Sequence, residues 1–446
     1  MIRFTGLCVA VAALAACSSS QQIDPMQQTG PDPLLPKVNE PILLPRTNVP
    51  PVVGWKKGEL PIVPAGFRIQ PMATGLMSPR RVYALPNGDI LVVQALKEGK
   101  EPIERLKNPF FDLIFGSAHA TSQKGPTNRI TLLRDADGDG TPELKSVLLD
   151  HVNSPFGIVL VGSDLYVAET DKIMRYPFTP GQTTITAKGQ KVIDLPAGAI
   201  NHHWTKDLTA SPDGSKLYVS IGSNSNVQER GPEAETGRAA IWQVDPKTGS
   251  YRIFASGLRN PNGLTFYPGS NTLWAVVNER DELGSNLVPD YMTSVRDGGW
   301  YGWPFSYWGQ HVDARVHPQH PELVARAIKP DYGLSSHVAP LGLTFYTGAS
   351  FPPMFRGGAF VGEHGSWNRA ELNGYKVVFI RFAGGRPAGK PINFVTGFLG
   401  PDGKIRGRPV GVAVDRTGAL IIADDVGNLV WRVSYAGAAS GTQQRP

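Results

Sequence analysis

Two adjacent histidines, His202 and His203, stand in the run Ala199-Ile200-Asn201-His202-His203-Trp204-Thr205-Lys206-Asp207-Leu208, just before a strand-like segment. A neutral imidazole accepts a proton near pH 7, so a histidine placed there can act as a general base. Taken alone, loop histidines are more commonly hydrogen-bonded structural residues. The segments that follow strengthen the chemical alternative. Ile221-Gly222-Ser223-Asn224-Ser225-Asn226-Val227-Gln228 is a polar loop at a strand end, and Gly257-Leu258-Arg259-Asn260-Pro261 fixes an arginine and an asparagine between Gly and Pro. Asn278-Glu279-Arg280-Asp281 and Gly298-Gly299-Trp300-Tyr301-Gly302-Trp303-Pro304 come next. Arg406 and Arg408 are two apart, so on an extended segment both would point the same way. Two guanidinium forks on one side suit a ligand with several carboxylates. A solvated pair on a strand edge is the alternative.

Two further groups invite a metal. Asp135-Ala136-Asp137-Gly138-Asp139-Gly140 has the acidic spacing of the first half of an EF-hand loop, but Ser146 stands where the closing Glu belongs. A polar turn between strands is the simpler expectation. His311, His317 and His320 are separated by Pro318 and followed by Pro321, which break any helix that would align them, so a surface loop is expected.

The elements that must position these residues are short. With 50 Gly and 39 Pro, the chain lacks the makings of long helices. A Gly/Pro/Asn/Asp turn followed by an apolar strand recurs six times. The strands open at Ile90, Leu165, Leu217, Leu273, Ala359 and Ala419, spaced by roughly 50 to 90 residues. Repeats of this kind predict an all-β, six-bladed β-propeller, in which each small sheet buries its faces only against its neighbours. Two unrelated all-β domains are the alternative, and no linker divides the middle of the chain. Wider gaps predict insertions from about Leu96 to Gln123 and from about Leu283 to Tyr332.

The N-terminus reads as a secretory signal, with a basic start, an apolar run from Phe4 to Ala16 too short to span a bilayer, and Leu14-Ala15-Ala16-Cys17. Both cysteines, Cys8 and Cys17, lie in or at this signal, so the mature domain has no disulfide, cysteine nucleophile or Cys-ligated zinc. The net charge of +6 is spread out, which argues against a nucleic-acid groove. Residues 18 to 55 are Pro-rich and predict a semi-rigid spacer. The expected organisation is a signal peptide (1–16), a tether (17–55), a propeller (56–435) and a frayed tail (436–446).

The sequence resembles two known patterns. Leu14-Ala15-Ala16-Cys17 resembles the bacterial lipobox, which implies acylation of Cys17 and a periplasm-facing domain anchored to a membrane. Ser18 resembles lipoproteins sorted to the outer membrane. From about Gly66 to Val433 the chain resembles the soluble sugar dehydrogenases that use pyrroloquinoline quinone (PQQ), most closely their L-sorbosone dehydrogenase branch. The landmarks are His203 to Leu208, Ser211-Pro212-Asp213-Gly214, Gly257 to Pro261, Gly298 to Pro304, and Arg406-Gly407-Arg408. That family's fold is itself a six-bladed propeller.

The resemblance implies roles. His203 falls at the general base, with His202 as runner-up; Arg259 falls beside the reacting quinone carbonyl; Asn260 contacts the cofactor, and Gln228 lies near the substrate. Arg406 and Arg408 fall on the cofactor's arginines, with Trp300 or Trp303 as a stacking wall. Main-chain carbonyls around Arg280 and Asp281 fall where the family binds its catalytic Ca²⁺. Three positions depart from the pattern: Ser223 replaces an aspartate, Arg280-Asp281 replaces Gly-Pro, and the family's cofactor lysine has no counterpart unless His364 or Arg369 serves. The implied function is PQQ- and calcium-dependent oxidation of a small aldose or sugar-derived aldehyde, with electrons passed to a carrier protein or quinone. A lactonase-type calcium-dependent hydrolase and a non-catalytic binding propeller are the alternatives.

Overall fold

The computed structural model describes residues 23–38, 48–97 and 127–437. Six sheets of at least four antiparallel strands form the six blades. Their innermost strands are Pro79–Ala84, Ile158–Val161, Leu208–Ala210, Asn260–Phe266, Pro340–Phe345 and Pro409–Val414. The second strands are Ile90–Gln94, Asp164–Ala168, Leu217–Ile221, Leu273–Asn278, Ala359–Glu363 and Leu420–Asp424. All six turn-plus-strand repeats therefore mark the same place, the first hairpin of a blade and its second strand. These second strands are buried almost throughout, because neighbouring blades cover both faces of each sheet. The fourth strands at the rim, such as Gln190–Asp194 and Tyr251–Ser256, are largely exposed.

Innermost strands of adjacent blades touch around the axis. At Gly342 a β-carbon would lie 2.2 Å from Val410 O, so only glycine lets the fifth and sixth blades meet there. Between the same blades, Tyr346, Phe351, Phe355, Phe360, Phe379 and Phe394 form an aromatic core, each at most 4% exposed. Burying such a side chain contributes about 1.5–3 kcal/mol. The ring closes through the N-terminal strand Phe67–Ala73, which pairs with Leu429–Tyr435 as the outer strand of the sixth blade. Closure of this kind ties the two ends of the domain together and removes a free sheet edge.

Two expectations need correction. Over its described residues, the Pro-rich stretch is docked rather than a spacer. Thr29–Gly30 adds a strand beside Tyr332–Ser336 of the fourth blade, and Gln28, fully buried, donates to Asn286 O. Val52 and Ile62 bridge to Ile405 and Thr396, and Trp55 packs edge-on to Phe398 and Trp431. Proline removes N–H donors and pre-extends the chain, and such a chain can lie along a sheet rim as readily as it can span solvent. The second insertion is also shorter than expected, because Pro289–Val295 is the fourth blade's own third strand. The insertion proper covers residues 296–331, and its Gly299–Trp300 pairs in parallel with the third blade's outer strand. The first expected insertion lies mostly outside the described residues, as do Cys17 and the signal sequence.

Candidate active site

In every blade the first-to-second hairpin turns lie at one end of the channel, so the starts of innermost strands and the ends of second strands share the other. The registers Asn260↔Asn278, Pro340↔Glu363 and Pro409↔Asp424 show this directly. Those ends carry His203, Ser223, Arg259, Asn260, Arg280, Asp281, His364, Arg408 and Asp425. Residues more than 200 positions apart, from His203 to Asp425, thus reach one end of the channel.

His203 lies in the loop entering the third blade, and its Nδ1 sits 2.8 Å from Ser223 O and 3.0 Å from Ser223 Oγ. The carbonyl can only accept, so Nδ1 carries the proton and Nε2 keeps its lone pair. Burial, then the charge of Arg259 and neighbouring His202, pushes the imidazole well below its ordinary pKa. It is therefore neutral at pH 7. Exposed His202 stands edge-on to it, with ring centroids 4.6 Å apart. At Gly222 a β-carbon would lie 2.5 Å from both His203 Cβ and Asn260 Oδ1, so the missing side chain lets His203 and Asn260 come together. Asn260 Oδ1 is buried without a hydrogen-bond partner.

Arg259 is 3% exposed and spends every N–H it has. Nε donates to Asn226 O, Nη1 to Glu279 O (2.7 Å) and Asn278 O, and Nη2 to Asn226 Oδ1 and Asp281 Oδ2 (3.0 Å). It can help through its charge, with no spare donor for a substrate oxygen. Asn226 is the organiser here: its Oδ1 also accepts from Asp281 N, and its carbonyl accepts from Trp303 Nε1 at 2.9 Å. Trp303 is thereby buried in support of the loop, whereas Trp300 is partly exposed and its Nε1 has no partner. Gln228, half-exposed with φ +66°, donates its main-chain N–H to Ser225 Oγ at 2.9 Å. Arg280 is 2% exposed; its Nε donates to Asp281 O and its Nη1 pairs with Asp313 of the insertion. Burial opposes ionisation of Asp281, but Arg259 and His337 hold it far below the usual carboxylate range.

The two late arginines are not brought to a common partner. Arg406 donates to Glu59 (2.9 Å) and Asp402 (3.1 Å), one of them from the docked N-terminal stretch. Arg408 instead lies over the Tyr375 ring at 5.1 Å and donates to its hydroxyl, with Nε buried and unpartnered. Beside it stands His364, whose partners Asp425 and Arg80 the sequence reading missed. Asp425 binds His364 Nε2 at 3.0 Å and Arg80 Nη1 at 2.6 Å, while Arg80 also lies 5.4 Å over Trp204. Burial pushes His364 down to about 4; burial would raise Asp425, but His364 and Arg80 bring it to about 2. A signal for Arg80 existed, because Pro79-Arg80 opens an innermost strand just as Arg408-Pro409 does. Arg369, the other stand-in for the absent lysine, is 1% exposed and donates to Ser285 O. On the opposite side of the first blade, Asp135, Asp137 and Glu143 bring oxygens within 4.8 Å of one another. Glu143, rather than residue 146, closes that turn: its Oε2 accepts from Ala136 N, and the Asp135 carboxylate accepts from Gly138 N and Gly140 N.

The TrAA12-like family model matches residues 125–295 and 320–436. The chain belongs to the TrAA12-like family. A Borreliella burgdorferi relative without an assigned function is 31% identical over 64% of this chain and 76% of its own length. A Coprinopsis cinerea "Pyrroloquinoline quinone-dependent pyranose dehydrogenase" is 24% identical over 71% of this chain, which spans only 44% of that protein. Among solved structures, the Trichoderma reesei AA12 enzyme in its calcium structure superposes with a TM-score of 0.67 at 20% identity, covering 84% of this chain and 97% of that one. The holo PQQ domain of the Coprinopsis cinerea enzyme gives 0.67 at 19% identity with the same coverage. These superpositions establish the six-bladed fold.

The donors present fit PQQ, a flat tricarboxylate. Arg408 Nε, Trp300 Nε1 and Asn260 Oδ1 are polar atoms without a protein partner, and Arg80 and Arg408 supply positive charge. The expected calcium ligands fit poorly. Asp281 O already accepts from Arg280 Nε (2.9 Å) and Asn226 Nδ2 (3.3 Å).

Proposed function

We propose that this chain oxidises an aldose or a sugar-derived aldehyde, as its hydrate or hemiacetal, with PQQ as the cofactor. PQQ, when bound, supplies a quinone that takes hydride from the substrate carbon. His203 takes the hydroxyl proton at Nε2, the nitrogen left open by the Nδ1 hydrogen bond to Ser223. Arg259 contributes fixed positive charge to the site, which would stabilise the negative charge that oxidation builds on the quinone oxygens. Arg408 and Arg80 hold carboxylates, Asn260 offers an acceptor to a cofactor donor, and half-exposed Gln228 faces the entering sugar. L-sorbosone and pyranoses are both compatible with this arrangement.

The observation that carries the reading is the anchored, neutral His203 at the channel end that also carries the unpartnered Asn260 Oδ1 and Arg408 Nε. Purified protein is incubated with PQQ and offered a panel of aldoses and aldehydes while a dye reports electron release. His203→Ala should keep PQQ and lose turnover. Full activity in that variant, or no PQQ binding at micromolar concentration, would sink the proposal.

The electrons would then pass to a carrier protein or quinone in the same compartment. The lipobox-like Cys17 supports a periplasm-facing protein held by lipid at a membrane, the outer membrane being favoured by Ser18. No helix among the described residues is long and apolar enough to cross a bilayer. Radiolabelled palmitate incorporation, abolished in Cys17→Ser, tests the anchor.

A further inference from the structure

We infer that the guanidinium group of Arg280, close to that of Arg259, takes the place of a divalent cation beside the cofactor, so that this chain holds PQQ without calcium. The inference rests on the PQQ reading above and concerns the segment Asn278-Glu279-Arg280-Asp281.

The first argument is occupancy. Calcium needs six to eight oxygen ligands. Along this segment four oxygens are already engaged by nitrogen donors. Asn278 O and Glu279 O accept from Arg259 Nη1 at 3.4 and 2.7 Å, and Asp281 Oδ2 accepts from Arg259 Nη2 at 3.0 Å. Asp281 O accepts from Arg280 Nε at 2.9 Å and Asn226 Nδ2 at 3.3 Å, which uses both of its lone pairs. Glu279 Oε1 has no partner, but one oxygen does not make a calcium shell.

The second argument is that the cations are built in. Arg280 is 2% exposed and pairs with Asp313, itself 2% exposed, which the 296–331 insertion delivers to the site. Asp313 is fixed in turn by accepting from Arg315 N at 3.0 Å. Removing Arg280 from this position would strand a buried carboxylate, so the pair holds itself in place. A calcium ion would have to share the space with two guanidinium charges and would be repelled by both.

The third argument is chemical. A guanidinium supplies fixed positive charge, and Arg259 does so through charge alone, since its N–H groups are spent. It does not dissociate, so site charge no longer depends on the free metal concentration. The exchange of Gly-Pro for Arg280-Asp281 then reads as a replacement of the metal.

The test is PQQ binding, followed by quenching of tryptophan fluorescence, in the full-length protein with excess EGTA or with CaCl₂. The expected result is the same apparent affinity in both buffers, within about threefold. A loss of about tenfold or more in EGTA would overturn the inference. Arg280→Gly, which frees one lone pair of Asp281 O and removes the guanidinium charge, should make PQQ affinity rise when calcium is added; a variant indifferent to calcium would also count against it. If PQQ binds in neither buffer, the cofactor reading fails separately. Calorimetric titration of CaCl₂ into Asp137→Asn protein, which removes the acidic hairpin from the count, then decides the metal question. Absence of heat supports the claim, and a calcium-binding signal refutes it.

Discussion

His203 Nδ1 lies 2.8 Å from the main-chain oxygen of Ser223 and 3.0 Å from its hydroxyl, and no carboxylate is among these partners. A carbonyl fixes the tautomer and favours the imidazolium, but with no counter-ion beside it the hydrogen bond is outweighed by burial, Arg259 and His202, and the pKa falls. The acid limb of kcat/KM should therefore lie below the ordinary histidine value. Ser223→Asp would place a carboxylate against Nδ1 and stabilise the protonated ring. That limb should then move to higher pH by about one unit or more. A pH–rate profile of the two proteins checks this, and an unmoved limb would detach His203 from the rate.

Gly222→Ala adds a methyl group 2.5 Å from both His203 Cβ and Asn260 Oδ1. The backbone there needs no left-handed conformation, so the fold should survive with at most about 1–3 kcal/mol of overpacking strain. Turnover should fall by at least about tenfold as base and asparagine are pushed apart. Thermal unfolding and kcat measured on one preparation separate the two effects.

Arg406 and Arg408 should respond differently to replacement by alanine. Arg408 has a buried unpartnered Nε at the mouth, so its loss should weaken PQQ binding by at least about tenfold. Arg406 is committed to Glu59 and Asp402, both partly exposed, and its loss should change stability little and leave PQQ affinity unchanged. Equal losses of PQQ affinity would mean that the two act as one clamp after all.

Trp55 donates its Nε1 to Asp424 Oδ2 at 2.7 Å, and burial pushes that carboxyl up to about 6. Trp55→Ala removes a donor and an aromatic contact on Trp431, so stability should fall by about 2–4 kcal/mol. Denaturant unfolding reads this directly. A loss near zero would show that the docked N-terminal stretch contributes nothing to the propeller.

Asn226→Ala removes the acceptor shared by Arg259 Nη2 and Asp281 N. Leaving a buried guanidinium N–H unmet costs about 1–3 kcal/mol. The same change should loosen Arg259 and lower kcat more than it raises KM. Rescue by Asn226→Asp, which keeps the acceptor, distinguishes this from general unfolding.

The sequence by itself determined the six blades, because each first hairpin needs a Gly, Pro, Asn or Asp turn and each second strand needs an apolar run. Those demands are local and leave a mark within about ten residues of chain. It also placed His203, Ser223 and Arg259 near strand ends, since loops at strand ends are polar and punctuated. The closing strand Phe67–Ala73 and the docking of residues 23–38 and 48–63 left no such mark, for their partners lie hundreds of residues away.

The same reason explains the arginines. Residue type announces a cation, but its partners come from whichever blades the ring brings together. Arg406 and Arg408 are two apart in sequence, yet Glu59, Asp402 and Tyr375 divide them. Only the tertiary structure decided that Arg259 and Arg280 spend their donors on the carbonyl segment where a metal was expected. Local chemistry follows the chain, and the pairing of charges follows the packing of the blades.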